Sequence, residues 1–255
     1  MDNLLHISST DILTNARKKY ILVNGEKILL EILAFDCKKF NPTKAELSEP
    51  ITKNRNGEES SAKKNWDRSI RRAKKSIYDY MLSNFDLDSF VTLTFDKEKI
   101  DRYDYKAIIK KLNQWLDNLV RRKNLKYVLV PEYHKDGAVH FHGFMNSEAL
   151  TLNDSGKKSN NKIVYNINNF AFGFSTLVKI GSAFDERLKV SGYIGKYITK
   201  SIEGTIGGRY YIHGGDLKKP IYEYLDLSFQ EFEGDMFSPY PNSSAKIWRY
   251  NFKKE

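Results

Sequence analysis

Two pairs of side chains in this sequence are spaced to do chemistry together. The first is His140 and His142, in AVHFHGF (138–144). Side chains alternate across a strand, so both imidazoles project to one face, roughly 7 Å apart, while Phe141 enters the opposite layer. Two imidazoles so placed can converge on one metal ion, with a third ligand supplied by the neighbouring strand. Pairing 130–134 with 138–142 across the Asp136-Gly137 turn brings Glu132 close. His134, two positions further along the same face, competes with it. Two histidines on an exposed strand face also need no special explanation, and these residues alone leave the two readings level.

The second pair is Tyr193 and Tyr197, in SGYIGKYITKS (191–201). Four residues apart on a helix, they share a face about 40° from each other. Ile194 and Ile198 form an adjacent stripe for the core, and Lys196 and Lys200 flank the tyrosines on the other side. The bland reading is an amphipathic helix with tyrosines snorkelling at its border. The chemical reading is a nucleophile pair. A phenol with a pKa near 10 attacks a phosphodiester only if it is activated or the phosphate is polarised. A divalent cation does the second, so the histidine strand and the tyrosine helix explain each other.

The surrounding elements are those needed to hold such a site. FVTLTF (90–95) alternates as a strand, with Thr92 and Thr94 on one face. Ile108, Ile109, Leu112, Trp115, Leu116, Leu119 and Val120 make a helical stripe from about Asp104. KYVLVPEYH (126–134) and AVHFHGFMN (138–146) form a hairpin through Asp-Gly. FGFSTLVKI (172–180) is a further strand, and 184–202 is helical. Upstream, YILVNGEKILLEILAF (20–35) reads as two strands around Asn24-Gly25. TKNRNGEESSAKKN (52–65) reads as a linker and LTLNDSGKKSNNK (150–162) as a polar insertion. NDSGKKS lacks the first glycine and the Ser/Thr after Gly-Lys that a phosphate loop needs, so no nucleotide cofactor is expected. The expected fold class is α+β, a central antiparallel sheet with helices packed on one face. The expected organisation is an N-terminal hairpin extension and linker over 1–60, a main domain over 61–225 and a tail over 226–255.

Composition sets the partners. A formal charge of +10 over 255 residues makes polyanions the first to consider. Between Ser61 and Asn84 a helical pattern buries Trp66, Ile70, Ala73, Ile77, Tyr80 and Met81. Its other face carries Lys63, Lys64, Arg68, Arg71, Arg72, Lys74 and Lys75. That face is either plain solvation or a track for phosphates. One cysteine, Cys37, excludes an intramolecular disulfide framework. MDNLLHISSTD has no signal-like apolar core, and no run is long enough to span a bilayer, so a cytoplasmic protein without membrane partners is expected.

Three of these stretches together resemble the HUH endonuclease superfamily, specifically the rolling-circle replication initiator (Rep) proteins of plasmids and single-stranded DNA phages. They are FVTLTF (90–95), PEYHKDGAVHFHGF (131–144) and YIGKYITK (193–200), in the family's order and spacing. GGRYYIHGGDLKKP (207–220) looks like a stretch often found after the tyrosine helix in phage-type members. The resemblance covers about 62 to 225. It implies an HUH/RRM-like fold in which His140 and His142, with Glu132 as the upstream polar ligand, bind Mn²⁺ or Mg²⁺. It also implies that Tyr197 is the primary nucleophile and Tyr193 the second. The attack leaves a 5′-phosphotyrosine and a free 3′-OH primer, with Lys196 and Lys200 orienting the scissile phosphate. Arg68, Arg71, Arg72, Thr92, Thr94 and Arg209 are the expected DNA contacts. The implied partners are a single-stranded or hairpin origin and a host helicase, inside a bacterial host cell.

Other readings predict different observations. A relaxase usually puts its tyrosine near the N-terminus, and single-tyrosine transposases are shorter and lack the pair. A non-catalytic RRM-like nucleic-acid-binding module predicts no metal dependence and no covalent adduct. A cupin-type oxygenase needs a jelly roll and a distant third histidine, against the long helices here.

Overall fold

In this computed structural model residues 14–23, 25–39, 58–200, 209–225, 235–237 and 245–249 are described. The chain divides into two units, residues 1–57 with 220–255, and residues 58–219. The first begins with β1 (Thr14–Val23) and β2 (Glu26–Lys39), antiparallel, with Val23 opposite Glu26. Gly25 turns between them at φ +87°, the left-handed backbone that the Asn-Gly signal anticipates.

The second unit opens with α1 (Glu58–Ser83), so the helix starts inside the stretch that reads as a linker. It continues through β3 (Ser89–Phe95), α2 (Tyr105–Lys123), β4 (Tyr127–Tyr133) and β5 (Val139–Met145). Asp104 caps α2 by accepting from the Lys106 and Ala107 amides, and Asn124 ends it in the left-handed conformation. Next come β6 (Leu152–Ser159), β7 (Lys162–Ile167), β8 (Gly173–Lys179), α3 (Phe184–Lys200) and β9 (Ile212–Gly214). The seven strands form one antiparallel sheet in the order β6-β7-β8-β3-β5-β4-β9. The polar insertion is therefore a hairpin. Its strands are polar on both sides, LNDSGKKS being largely exposed, so hydrophobic alternation could not announce it.

Helices cover both faces of this sheet, not one. Ile108, Leu112, Leu116 and Leu119 of α2 pack with Val91, Leu93, Phe95, Leu129, Phe141 and Leu177. On the other side Ile70, Ala73 and Ile77 of α1 and Ile194 and Ile198 of α3 pack with Val128, Val130 and Phe144. The reason lies in β4: Val128, Leu129 and Val130 are all fully buried, so both of its faces need cover. The final strands β10 (Ile221–Leu225), β11 (Asp235–Phe237) and β12 (Ala245–Arg249) join the first unit in a five-stranded sheet of order β10-β1-β2-β12-β11. Residues after 220 thus pair with the N-terminal hairpin where the sequence suggests a main domain running to 225 and a separate tail.

Candidate active site

Register places the site row by row. Phe174 lies opposite Thr94, Thr94 opposite His140, and His140 opposite Glu132, across β8, β3, β5 and β4. The next row is Thr176, Thr92, His142 and Val130, and the next Val178, Phe90, Phe144 and Val128. All of these side chains stand on the α1–α3 side. Gly143 keeps the rows aligned: a Cβ there would lie 1.9 Å from the Val128 carbonyl oxygen, so β5 approaches β4 this closely only with glycine.

The imidazoles are held from behind. Thr92 Oγ1 is 3.0 Å from His142 Nδ1 and Thr94 Oγ1 is 3.1 Å from His140 Nδ1. A threonine hydroxyl on Nδ1 fixes ring orientation and directs Nε2 forward. The two threonines expected to contact DNA therefore orient the histidines. Their parity with the histidines was visible in FVTLTF, but the hydrogen bonds needed the strand pairing. Glu132 Oε2 lies 2.8 Å from His142 Nε2. His134 instead stacks on His140, ring centroids 5.1 Å apart, with Nδ1 3.3 Å from Asp136. Burial, then the neighbouring His134, lowers the His140 pKa and favours the neutral imidazole that coordinates metals.

Among the described residues no three His, Cys, Asp or Glu side chains stand in a finished metal-binding arrangement. The donor set is nonetheless chemically suited to a small divalent cation: two imidazoles pinned at Nδ1 and one carboxylate already at Nε2.

Helix α3 delivers the tyrosines. Its inner stripe, Ile194 and Ile198, is buried, and Arg187 anchors its first half. That guanidinium, 1% exposed, donates to the carbonyls of Met81, Asn84 and Phe85, which end α1. Burial pushes its pKa down to about 10. Nothing in FDERLKV distinguished this arginine from a solvated one. Gly195 faces the stem of Lys74 at 3.6 Å, a contact a methyl group would tolerate.

Tyr197 stacks on His142, with centroids 4.1 Å apart and planes 12° from parallel. Its hydroxyl donates to that of Tyr193 at 2.8 Å. Burial, then that hydrogen bond and Glu132, raise its pKa well above the ordinary phenol range. The two tyrosines differ in access: Tyr197 is 8% exposed and Tyr193 46%. Tyr193 packs edge-on against Phe90, and Lys196 Nζ lies 5.4 Å from its ring. The histidine strand, Glu132 and the tyrosine helix are thus one continuous cluster.

Residues 88–202 match the model of a family described as Replication-associated protein, of the ORF2 type. This segment is that of a replication-associated protein. The span is consistent with a rolling-circle Rep protein and includes Glu132, both histidines and both tyrosines. No curated protein and no solved structure matches the chain.

Other expected contacts of this replication-associated segment lie apart from the cluster or outside description. Arg68, Arg71 and Arg72 are on the exposed side of α1. Arg209 borders a different cavity of about 440 Å³ with Asp117, Tyr211 and His213. The side chains of Lys63, Lys64 and Lys200 lie outside the described residues. No described helix is long and apolar enough to cross a membrane.

Proposed function

We propose that this protein is a rolling-circle replication initiator whose residues 58–219 nick and rejoin single-stranded origin DNA through a covalent tyrosine intermediate. One observation supports this above the others: Tyr197 stacks on His142 and hydrogen-bonds Tyr193, while His142 meets Glu132. A structural tyrosine border would not need to seat itself on a pinned imidazole.

In the reaction a phenol oxygen attacks phosphorus, the P–O3′ bond breaks, and the phenol proton goes to solvent as the departing 3′-oxygen gains one. One phosphodiester replaces another, so no ATP is consumed. The resemblance favours Tyr197 as the nucleophile; exposure favours Tyr193, and we place the first attack there. The Tyr197 hydroxyl, donating to Tyr193, stabilises the phenolate that attacks. Lys196 beside the Tyr193 ring attracts the strand, and Lys200 is the second candidate for that role. His140, His142 and Glu132 would hold Mn²⁺ or Mg²⁺, which when bound supplies Lewis-acid polarisation of the scissile phosphate. Unwinding of the origin falls to a host helicase in the bacterial cytoplasm.

Incubating the protein with labelled single-stranded origin DNA and Mn²⁺ should give a denaturation-resistant adduct. Tyr193→Phe should abolish the first adduct, and Tyr197→Phe should slow its formation by about 10²–10³-fold, as loss of one preorganised donor does. His140→Ala should lose nicking and recover part of it in excess Mn²⁺. An adduct that survives the double Tyr193→Phe, Tyr197→Phe substitution would sink the nucleophile assignment.

A further inference from the structure

A cavity of about 450 Å³ opens beside Tyr193, between the β6–β7 turn, the end of β8 and the first half of α3. Its floor is apolar: Phe90, Val178, Ile180 and Val190. Ser159, Asn160 and Glu186 supply polar edges, and Lys162, Lys179 and Lys189 stand around it. Three ammonium groups against one carboxylate leave the lining cationic, and Lys189 is exposed to solvent.

The wall contributed by the hairpin is fixed. Asn160 and Asn161 make its two-residue turn at φ +48° and +63°, a conformation asparagine tolerates better than most residues. Lys162, directly after the turn, pairs with Glu186 of α3 and donates to the Lys179 carbonyl at 3.3 Å. The hairpin tip is thereby latched to the helix that carries both tyrosines. Glu186 also accepts from the Gly181 amide, which, after the Lys162 hydrogen bond, holds its carboxyl below the usual range.

We propose that this cavity takes one unpaired base of the DNA strand, next to the phosphate that Tyr193 attacks. The inference rests on the nicking function proposed above and adds to it where the strand is gripped. The chemistry is that of a nucleobase: flat apolar faces for Phe90 and the aliphatic floor, hydrogen-bonding edges for Asn160 and Ser159, and flanking phosphates for the lysines. Its volume falls in the range of small-ligand pockets and holds a base with its sugar. A cavity whose wall is latched to the nucleophile's helix fixes the distance from the held base to the attacked phosphate, which is how a nick acquires a defined position.

The test uses the full chain and oligodeoxythymidylate carrying 5-iododeoxyuridine, irradiated and mapped by peptide mass spectrometry. Crosslinks to Phe90 or Tyr193 are expected, and Lys189→Glu should lower oligonucleotide affinity about tenfold through lost phosphate attraction. Bound oligonucleotide that crosslinks only elsewhere overturns the proposal. So does thymidine monophosphate displacing the crosslink at concentrations that leave the strand bound, since the cavity would then serve a free nucleotide. Crosslinks at Phe90 or Tyr193 without any Mn²⁺-dependent adduct keep the base site and reject the nicking reaction.

Discussion

The two faces of the seven-stranded sheet are built from alternate residues of the same strands, yet they have opposite characters. On the α2 side Val91, Leu93, Phe141 and Leu177 are fully buried in one apolar layer. On the other side α1 and α3 bury Val128, Val130 and Phe144, and then the cover stops. Beyond it Thr92, Thr94, His140 and Glu132 are only partly buried, and Phe174 is 54% exposed. The difference assigns tasks: one face supplies stability, and the other uses the geometry so stabilised. Polar side chains kept in rows beside an apolar layer are held to the precision of the sheet.

The largest effect should come from the closed face. Phe141→Ala removes a fully buried ring that sits between the two histidines in sequence and meets Phe95 edge-on. We expect a loss of about 3–5 kcal/mol in chemical unfolding. A loss below about 1 kcal/mol would break the division of labour.

Arg187→Met comes next, because it leaves the end of α1 without donors while roughly conserving volume. Unfolding free energy should fall by about 1–3 kcal/mol through the unsatisfied carbonyls. Tyr193 and Tyr197 should also lose their fixed position, so adduct formation should fall further than stability predicts. Intact catalysis in the folded variant would show that α3 is placed by its isoleucines alone.

Asp88 provides the control: a polar cluster that serves stability and lies outside the tyrosine cluster. Burial would raise its pKa, but Lys179, the Ser147 hydroxyl and amide, and Ser89 outweigh this and hold it below the usual range. The folded pKa being depressed, the stabilisation is present above the unfolded value and lost as pH falls through the folded one. Asp88→Asn should therefore cost about 1 kcal/mol at neutral pH, discounted for its exposure, and almost nothing at acid pH below about 3. Nicking should not change. Urea midpoints at the two pH values check this, and an equal cost at both would remove the ionic origin.

How much of this was legible beforehand follows from what each feature depends on. Turn chemistry is local, so the Asn-Gly and Asp-Gly hairpins and the Asp104 cap could be read directly. The histidine and tyrosine pairs were legible because spacing alone puts each on one face. Partnership across the chain was not. Arg187 finds the carbonyls of α1 about a hundred residues away, the β6–β7 hairpin has no apolar face to betray it, and the unequal exposure of Tyr193 and Tyr197 arises from where α3 ends its cover.

The smallest stability effect, and the sharpest test of the open face, is Thr92→Val. Valine matches threonine in shape and favours strands, so removing the hydroxyl opposite His142 Nδ1 should move unfolding free energy by no more than about 1 kcal/mol. The imidazole would lose the partner that sets its orientation while keeping its stack on Tyr197. If His142 binds the cation, the Mn²⁺ concentration for half-maximal nicking should rise about 10–100-fold, with the rate at saturating Mn²⁺ nearly restored. A drop in rate that no Mn²⁺ concentration relieves would mean that Thr92 touches the DNA, as the sequence first suggested. The same unfolding curve with a shifted metal requirement would separate a residue that orients the site from one that merely fills the sheet.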